Sequence, residues 1–176
     1  AALQEGVIDT STQFRCGYTY YNADMPDFHP LCMGTHGYLN VIEALTVSCN
    51  IFFYDTGYNL GIDNMNLYQR KLGLGELTGV EIYESDGTLA GPDEKEDWYG
   101  GDTIMAAIGQ SDNLITPVQL ATYAATIANN GTRLRTHVVD KITDYSRQTV
   151  LEETKPEVVE ENIFDQEVLE TVKGAM

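Results

Sequence analysis

The sequence predicts a mainly helical α+β fold with two short hairpins. Three observations lead to this expectation: apolar residues recur at helical spacing after Gly37, a strongly capped apolar segment follows Thr116, and turn-punctuated strand-like stretches flank both. The chain has 176 residues, is 43% hydrophobic, and contains 16 Gly but only 5 Pro. This composition supports a globular core and argues against disorder, collagen-like repeats and disulfide-dense miniproteins.

The charge balance excludes several classes of partner. The chain has 27 Asp plus Glu against 10 Lys plus Arg, a formal net charge of −17. Binding to nucleic acid or to an anionic membrane needs clustered basic residues, so we expect no nucleic-acid partner. No apolar run approaches the roughly 18 to 20 residues that cross a bilayer, and AALQEGVIDT has no signal-peptide pattern. We expect an excised segment of a longer protein, with any anchor or signal outside it.

Residues 1–35 form a predicted hairpin region. The stretch Thr12–Met33 is rich in Phe, Tyr and Cys around a turn-forming centre at Asn22–Asp27. This pattern predicts two short strands joined by a loop.

Residues 36–135 form a predicted helical core that begins with three short helices. Leu39, Ile42 and Leu45 predict the first helix, which ends near residues 48–50. Asn50 is expected to cap the second helix, and Gly61 lies beyond its end. The third helix is bounded by Asp63 and Gly73 and is expected to bury three residues: Met65, Tyr68 and Leu72.

A glycine-rich, acidic stretch at residues 75–103 is expected to be mostly loop. The clearest helix follows it, with Thr116 as the cap, Pro117 in the first turn and Gln119 three residues after the cap. We expect this helix to lie in the core, with its apolar face formed by Leu120, Ala124, Ile127 and Ala128.

Residues 136–176 predict a hairpin followed by a C-terminal helix. Strand-like segments THVVDKITDYS and TVLEET surround Ser146–Gln148, and helical spacing begins after Asp165. The acidic run at residues 152–170 is expected to be a solvated face, although it could also dock a basic partner.

The tripeptide Ser48-Cys49-Asn50 lies at the junction of two predicted helices. A hydroxyl and a carboxamide two residues apart at a fixed junction could transfer a proton and bind a substrate amide. A bare S-x-N has a second explanation, since Ser and Asn also cap helices.

The tripeptide lies in the first of three longer segments that follow one another along the chain. They are HGYLNVIEALTVSCNIFFYDTGYNLGI, LGLGELTGVEI and WYGGDTIMAAIGQSDNLITPVQLATYAATIANNGTRLR. In this order the sequence resembles the transpeptidase domain of bacterial penicillin-binding proteins, most strongly over residues 36–135.

The resemblance implies a site and a reaction. A serine of an S-x-x-K motif attacks the D-Ala-D-Ala end of a peptidoglycan stem peptide, and a K-T-G strand completes the site. Ser48 takes the role of the S-x-N serine, which relays protons, and Asn50 binds the substrate amide. Neither S-x-x-K nor K-T-G occurs in this chain, so we expect the segment alone to be catalytically inert.

The resemblance also implies a fold and partners. The chain would be the helical subdomain portion of a β-lactamase-like penicillin-binding fold, with most of the central antiparallel sheet absent and apolar helix surface left to self-associate. The implied enzyme is extracytoplasmic, membrane-anchored by a segment outside the chain, needs no cofactor, and binds stem peptides and β-lactams. A non-catalytic scaffolding or binding module of cell-wall synthesis is the alternative, and an unrelated helical domain with chance motifs is a third.

The cysteines and histidines leave further alternatives. Cys16 and Cys32, on the two arms of the predicted first hairpin, could form a disulfide in an extracytoplasmic protein or remain free buried thiols. Cys16, His29, Cys32 and His36 suggest zinc, but their spacing is irregular and the family is not metal-dependent, so we expect no metal. Cys49 has no basic neighbour in sequence to activate it, so we expect a buried filler rather than a nucleophile.

Overall fold

The computed structural model describes residues 1–176 and has six helices and six short strands. The helices are α1 Val41–Thr46, α2 Asn50–Leu60, α3 Ile62–Lys71, α4 Gly100–Ala106, α5 Pro117–Ala128 and α6 Gln166–Ala175. The strands are β1 Phe14–Cys16, β2 Gly37–Leu39, β3 Arg133–Leu134, β4 Lys141–Thr143, β5 Val150–Glu153 and β6 Val158–Glu160. They pair as three separate two-stranded antiparallel sheets, β1–β2, β3–β6 and β4–β5. The prediction of a mainly helical fold with few short strands is confirmed.

The main core surrounds α2. Ile51, Phe52 and Tyr54 are almost fully buried in a cluster of 17 residues. Helix α4, which lies in part of the stretch expected to be loop, packs closely on α2 at Gly57. A Cβ at Gly57 would lie 2.2 Å from the Cβ of Ala107, so only glycine permits this helix approach.

The first helix begins later than predicted, and the third is as predicted. Helix α1 starts after Asn40, whose side chain accepts from the Glu43 N–H at 3.0 Å while the Glu43 carboxylate accepts from the Asn40 N–H at 2.9 Å. Leu39 therefore lies in β2 rather than in the helix. The third helix is confirmed, with Met65 and Tyr68 buried on α3 and Leu72 buried at its C-terminal cap.

The first hairpin is wrong as predicted. β1 pairs with β2, placing Phe14 opposite Leu39 and Cys16 opposite Gly37, and the two arms of the Thr12–Met33 stretch share one isolated backbone bridge, between Thr19 and Leu31, rather than a pair of strands. Burial of Phe14 explains why β1 pairs with β2. In this pairing the centroid of the Phe14 ring lies 5.2 Å from that of the Phe52 ring in the core.

Helix α5 has the predicted bounds and capping box but buries a different face. Thr116 Oγ1 accepts from the Gln119 N–H at 3.3 Å. Leu120 is 51% exposed, and Ala124 and Ala128 are also exposed, so of the predicted apolar face only Ile127 is buried. The buried side consists of Gln119, Thr122, Thr126 and Ile127.

Hydrogen bonds make this polar face compatible with burial. The Gln119 Nε2 donates to the carbonyls of Glu76 and Asp86, each at 2.7 Å. The hydroxyls of Thr122 and Thr126 donate to carbonyls four residues earlier in α5, at 2.9 and 2.8 Å. Buried polar groups that are paired in this way lose little free energy on leaving water.

The C-terminal predictions are confirmed for the β4–β5 hairpin and for α6, whose N-cap is Asp165. Helix α6 returns to the core, where the Thr46 hydroxyl contacts the Ala175 carbonyl at 3.4 Å. The β3–β6 pairing was not predicted from the sequence. None of the helices has the length and apolar character required to cross a membrane.

Candidate functional site

The Ser48-Cys49-Asn50 tripeptide forms the turn between α1 and α2. The Ser48 N–H donates to the Leu45 carbonyl at 3.2 Å, and the Cys49 N–H donates to the Ala44 carbonyl at 2.9 Å. These two bonds form a Schellman C-cap, a motif that usually places glycine in the left-handed position. Ser48 occupies that position with φ of 52°. An exposed serine is thus held in a backbone conformation that L-residues disfavour, as is common at functional sites.

The two polar residues of the motif flank a buried anchor. Cys49 is fully buried and is the N-cap residue of α2, with φ −76° and ψ 104°. The prediction that Asn50 caps α2 is wrong, because Asn50 is already the first helical residue. Its side-chain amide instead contacts the Leu31 carbonyl at 3.4 Å, and the Tyr54 hydroxyl reaches the same carbonyl at 3.4 Å. The loop before β2 therefore positions the Asn50 side chain.

Below the turn, three thiols and one imidazole converge. The Cys16 Sγ lies 3.4 Å and the Cys32 Sγ 3.6 Å from the His36 Nδ1, and the Cys32 and Cys49 sulfurs are 3.9 Å apart. The four ligand atoms all lie within 4.8 Å of one another. We call Cys16, Cys32, His36 and Cys49 the thiol cluster.

The structure brings together three of the four residues considered for zinc and replaces the fourth. His29 is exposed, with its Nδ1 3.3 Å from the Tyr20 carbonyl, and does not reach the cluster. Cys49 takes its place. The spacing of the residues in the sequence does not indicate that Cys49 rather than His29 is the fourth member. Cys49 lies at the α1–α2 junction and approaches Cys16 and Cys32 only in the folded chain.

The environment of the cluster favours a thiolate at Cys32. Burial acts to raise the pKa of the Cys32 thiol, but hydrogen bonds from the backbone of Gly34, Ile51 and Asn50 outweigh it and lower the pKa to about 6. Two of these donors belong to the first turn of α2, where the helix dipole also favours negative charge. Burial raises the pKa of Cys49 to about 12, which argues against Cys49 as a nucleophile.

The three cysteines are free thiols in the structure. Of the two alternatives that the sequence left open for Cys16 and Cys32, the structure has the free buried thiols rather than the disulfide, and both sulfurs belong to the same cluster. Which form the protein adopts in an oxidising environment stays a prediction that thiol counting can test.

The fold and the S-x-N turn agree with a comparison to known families. A family model described as the penicillin binding protein transpeptidase domain matches residues 1–176. The chain belongs to this family. The S-x-x-K and K-T-G patterns do not occur in residues 1–176, whereas the sequence Ser48-Cys49-Asn50 does.

Curated relatives support the same membership. The chain is 35% identical over 144 residues to a peptidoglycan D,D-transpeptidase MrdA of Acinetobacter baumannii, covering 78% of the chain and 21% of that protein. It is 32% identical over 138 residues to MrdA of Escherichia coli, covering 74% of the chain and 22% of that protein. The chain thus spans about a fifth of the length of these relatives.

Solved structures show the shared fold. Pseudomonas aeruginosa PBP2 in complex with WCK 5153 superimposes with a TM-score of 0.81 at 23% identity, covering 99% of this chain and 40% of that one. An imipenem acyl-enzyme complex of penicillin-binding protein A from M. tuberculosis gives a TM-score of 0.82 at 21% identity, with the same coverage of both chains. This chain therefore has the fold of the corresponding part of these two longer chains.

Proposed function

We propose that this chain is part of a peptidoglycan D,D-transpeptidase that crosslinks stem peptides through an acyl-serine intermediate and is acylated by β-lactams. The enzyme acts on the extracytoplasmic side of the bacterial membrane and is anchored by a segment outside residues 1–176. The observation that carries the proposal is the S-x-N turn itself, in a family member whose relatives are named peptidoglycan D,D-transpeptidases.

The geometry of the turn suits a proton relay through Ser48 and binding of a substrate amide by Asn50. Ser48 is exposed, so its hydroxyl can face a substrate cleft and relay a proton between the nucleophilic serine, its lysine and the leaving nitrogen. Asn50 is half-buried and held on one side by the Leu31 carbonyl, which leaves its side-chain oxygen to accept from a substrate amide. The buried Cys49 between them fixes their spacing.

The experiment is acylation of the full-length protein by a penicillin, followed by intact mass over time. We expect one adduct on the full-length protein and none on the 176-residue segment, which lacks the nucleophile. Ser48→Ala should slow acylation by about 100-fold or more, the range for loss of a proton-transfer group. Asn50→Ala should slow it by about 10-fold, the effect of losing roughly one hydrogen bond to the substrate. Ser146→Ala is the matched control, because Ser146 is exposed in the β4–β5 turn and should acylate at the wild-type rate.

Other outcomes would redirect the assignment. A full-length protein that forms no adduct would favour the non-catalytic scaffolding module. An adduct on the short segment would place the nucleophile within residues 1–176 and would contradict the proposed division of the site.

The isolated segment is proposed to self-associate through the exposed face of α5. Leu120, Ala124 and Ala128 present apolar surface to solvent there. Sedimentation velocity at rising concentration should show oligomers that Leu120→Glu disperses. Leu67→Glu, at an exposed leucine of α3 that is 48% accessible, should leave them unchanged. A wild-type segment that stays monomeric at high concentration would contradict this proposal.

A further inference from the structure

We propose that Tyr54 is a positioning residue for the reaction: its hydroxyl and the Leu31 carbonyl hold the Asn50 side chain so that the amide oxygen faces the substrate. The inference rests on the proposed transpeptidase function and adds a residue that lies outside the S-x-N motif. Tyr54 is 2% exposed, so it acts through Asn50 rather than on the substrate itself.

Asn50 and Tyr54 lie on one face of α2. Asn50 is the first residue of the helix and Tyr54 follows four positions later, a spacing that places two side chains next to each other. The Asn50 side chain hydrogen-bonds to the Tyr54 hydroxyl. The Asn50 Nδ2 and the Tyr54 Oη also reach the Leu31 carbonyl, each at 3.4 Å. These distances are at the long end for hydrogen bonds, as is common at active sites before a substrate binds.

The Leu31 carbonyl is available to both side chains. Leu31 pairs with Thr19 in an isolated antiparallel bridge, and the two backbone hydrogen bonds of that bridge, 2.8 and 3.0 Å long, are made by the residues on either side. No backbone N–H donates to the Leu31 carbonyl. A carbonyl oxygen has two lone pairs, so it can accept from the Asn50 amide and the Tyr54 hydroxyl together.

This arrangement decides which end of the Asn50 amide faces outward. An asparagine side chain has two N–H donors at one end and an oxygen acceptor at the other. The Leu31 carbonyl can only accept, so it favours the nitrogen end of the amide. With the nitrogen turned towards Leu31 and Tyr54, the Asn50 oxygen is left to accept from a substrate amide. A reversed amide would present donors to the substrate and could not accept from it.

The Tyr54 ring is fixed by packing. It belongs to the main core, and its centroid lies 5.3 Å from that of the Tyr20 ring in an edge-to-face contact. The Tyr20 hydroxyl donates to the Asp55 carboxylate at 3.0 Å, which ties the segment before Leu31 to α2. Burial raises the pKa of Tyr54, so its hydroxyl keeps its proton and stays a donor. The hydroxyl therefore gives Asn50 a fixed partner.

The test is the rate at which the full-length protein is acylated by benzylpenicillin and by penicillanic acid. The two compounds share the reacting β-lactam ring, but penicillanic acid lacks the acylamino group whose amide Asn50 would bind. Tyr54→Phe removes the hydroxyl and keeps the ring. The variant should react about 3- to 10-fold more slowly with benzylpenicillin, the effect of roughly one lost hydrogen bond, and less than about 2-fold more slowly with penicillanic acid.

Tyr58→Phe is the matched control. It removes another tyrosine hydroxyl of α2, one that donates to Asp24 at 2.8 Å rather than to Leu31, and should be acylated at the wild-type rate. The double variant Tyr54→Phe/Asn50→Ala should react with benzylpenicillin no more slowly than Asn50→Ala alone, because a residue that acts only through Asn50 has nothing left to position.

The comparison of the two compounds holds even if Tyr54→Phe lowers the thermal midpoint, since a poorly folded protein reacts more slowly with both. Equal slowing with both compounds would therefore show a general structural effect and overturn the inference. Additive losses in the double variant would show that Tyr54 does not act through Asn50.

Two outcomes separate this inference from the proposed function. A Tyr54→Phe variant that reacts with benzylpenicillin at the wild-type rate would overturn the positioning role and leave the transpeptidase function in place. A wild-type protein that forms no adduct with benzylpenicillin would contradict the proposed function itself, and the role of Tyr54 with it.

Discussion

Replacing Ser48 with glycine should stabilise the fold while removing the proposed proton-relay hydroxyl. Ser48 has φ of 52°, and an L-residue in the left-handed region costs roughly 1 to 2 kcal/mol. Glycine avoids this cost but loses about 0.5 to 1 kcal/mol more backbone entropy on folding. The Schellman hydrogen bonds come from the backbone and are retained in both variants.

The informative comparison is between Ser48→Gly and Ser48→Ala, because both lack the hydroxyl and only alanine keeps the Cβ. The glycine variant should be more stable by about 0.5 to 1 kcal/mol, the difference between the two terms above. That corresponds to about 1 to 4 °C in the thermal midpoint for a chain of this size. Urea unfolding of the 176-residue chain measures the difference, and both variants should lose acylation rate in the full-length protein.

Equal stability of the two variants, within about 0.3 kcal/mol, would refute the reasoning, because glycine loses its advantage only if residue 48 is not left-handed. A glycine variant that acylates at the wild-type rate would separately contradict the role given to the Ser48 hydroxyl.

Three further changes test the packing and hydrogen bonding elsewhere in the fold. Gly57→Ala should destabilise the chain by about 1 to 3 kcal/mol in urea unfolding, because the new Cβ meets Ala107 at 2.2 Å; an unchanged midpoint would mean that α2 and α4 are not in close contact. Gln119→Leu should cost about 1 to 3 kcal/mol, since it leaves the carbonyls of Glu76 and Asp86 without the donor that the buried Gln119 side chain supplies, and a neutral result would contradict the burial of that face. Partial burial acts to raise the pKa of Glu84, but hydrogen bonds from Thr78 lower the pKa overall. A carboxylate whose pKa is lower in the folded than in the unfolded chain stabilises the fold at any pH above its unfolded-state pKa. This stabilisation is lost as the pH falls through the folded-state pKa. Glu84→Gln should therefore destabilise the chain slightly at pH 7, because solvent screens this partly exposed carboxylate, and progressively less on acidification. A loss of stability that is independent of pH would show that the charge is not involved.

The sequence by itself determined those features whose causes lie within a few residues. The capping box of Thr116 and Gln119 fixed the start of α5, and the α3 bounds and the β4–β5 hairpin followed from similar local patterns. Such hydrogen bonds join residues three or four apart, so the local sequence contains both partners. The S-x-N motif and the family resemblance were also visible in the sequence, because they are linear patterns.

Only the tertiary structure decided which partner each segment met. β1 pairs with β2, rather than with the second arm of the predicted hairpin, because this pairing packs Phe14 against the core. Helix α5 buried its threonine and glutamine side because carbonyls of a distant loop accept from Gln119 and carbonyls of α5 itself accept from the two threonines, which left Leu120 exposed. Cys49 joined Cys16, Cys32 and His36 through a left-handed turn at Ser48 that no residue preference predicts. These outcomes depend on contacts between residues far apart in the chain, and no local period or spacing records them.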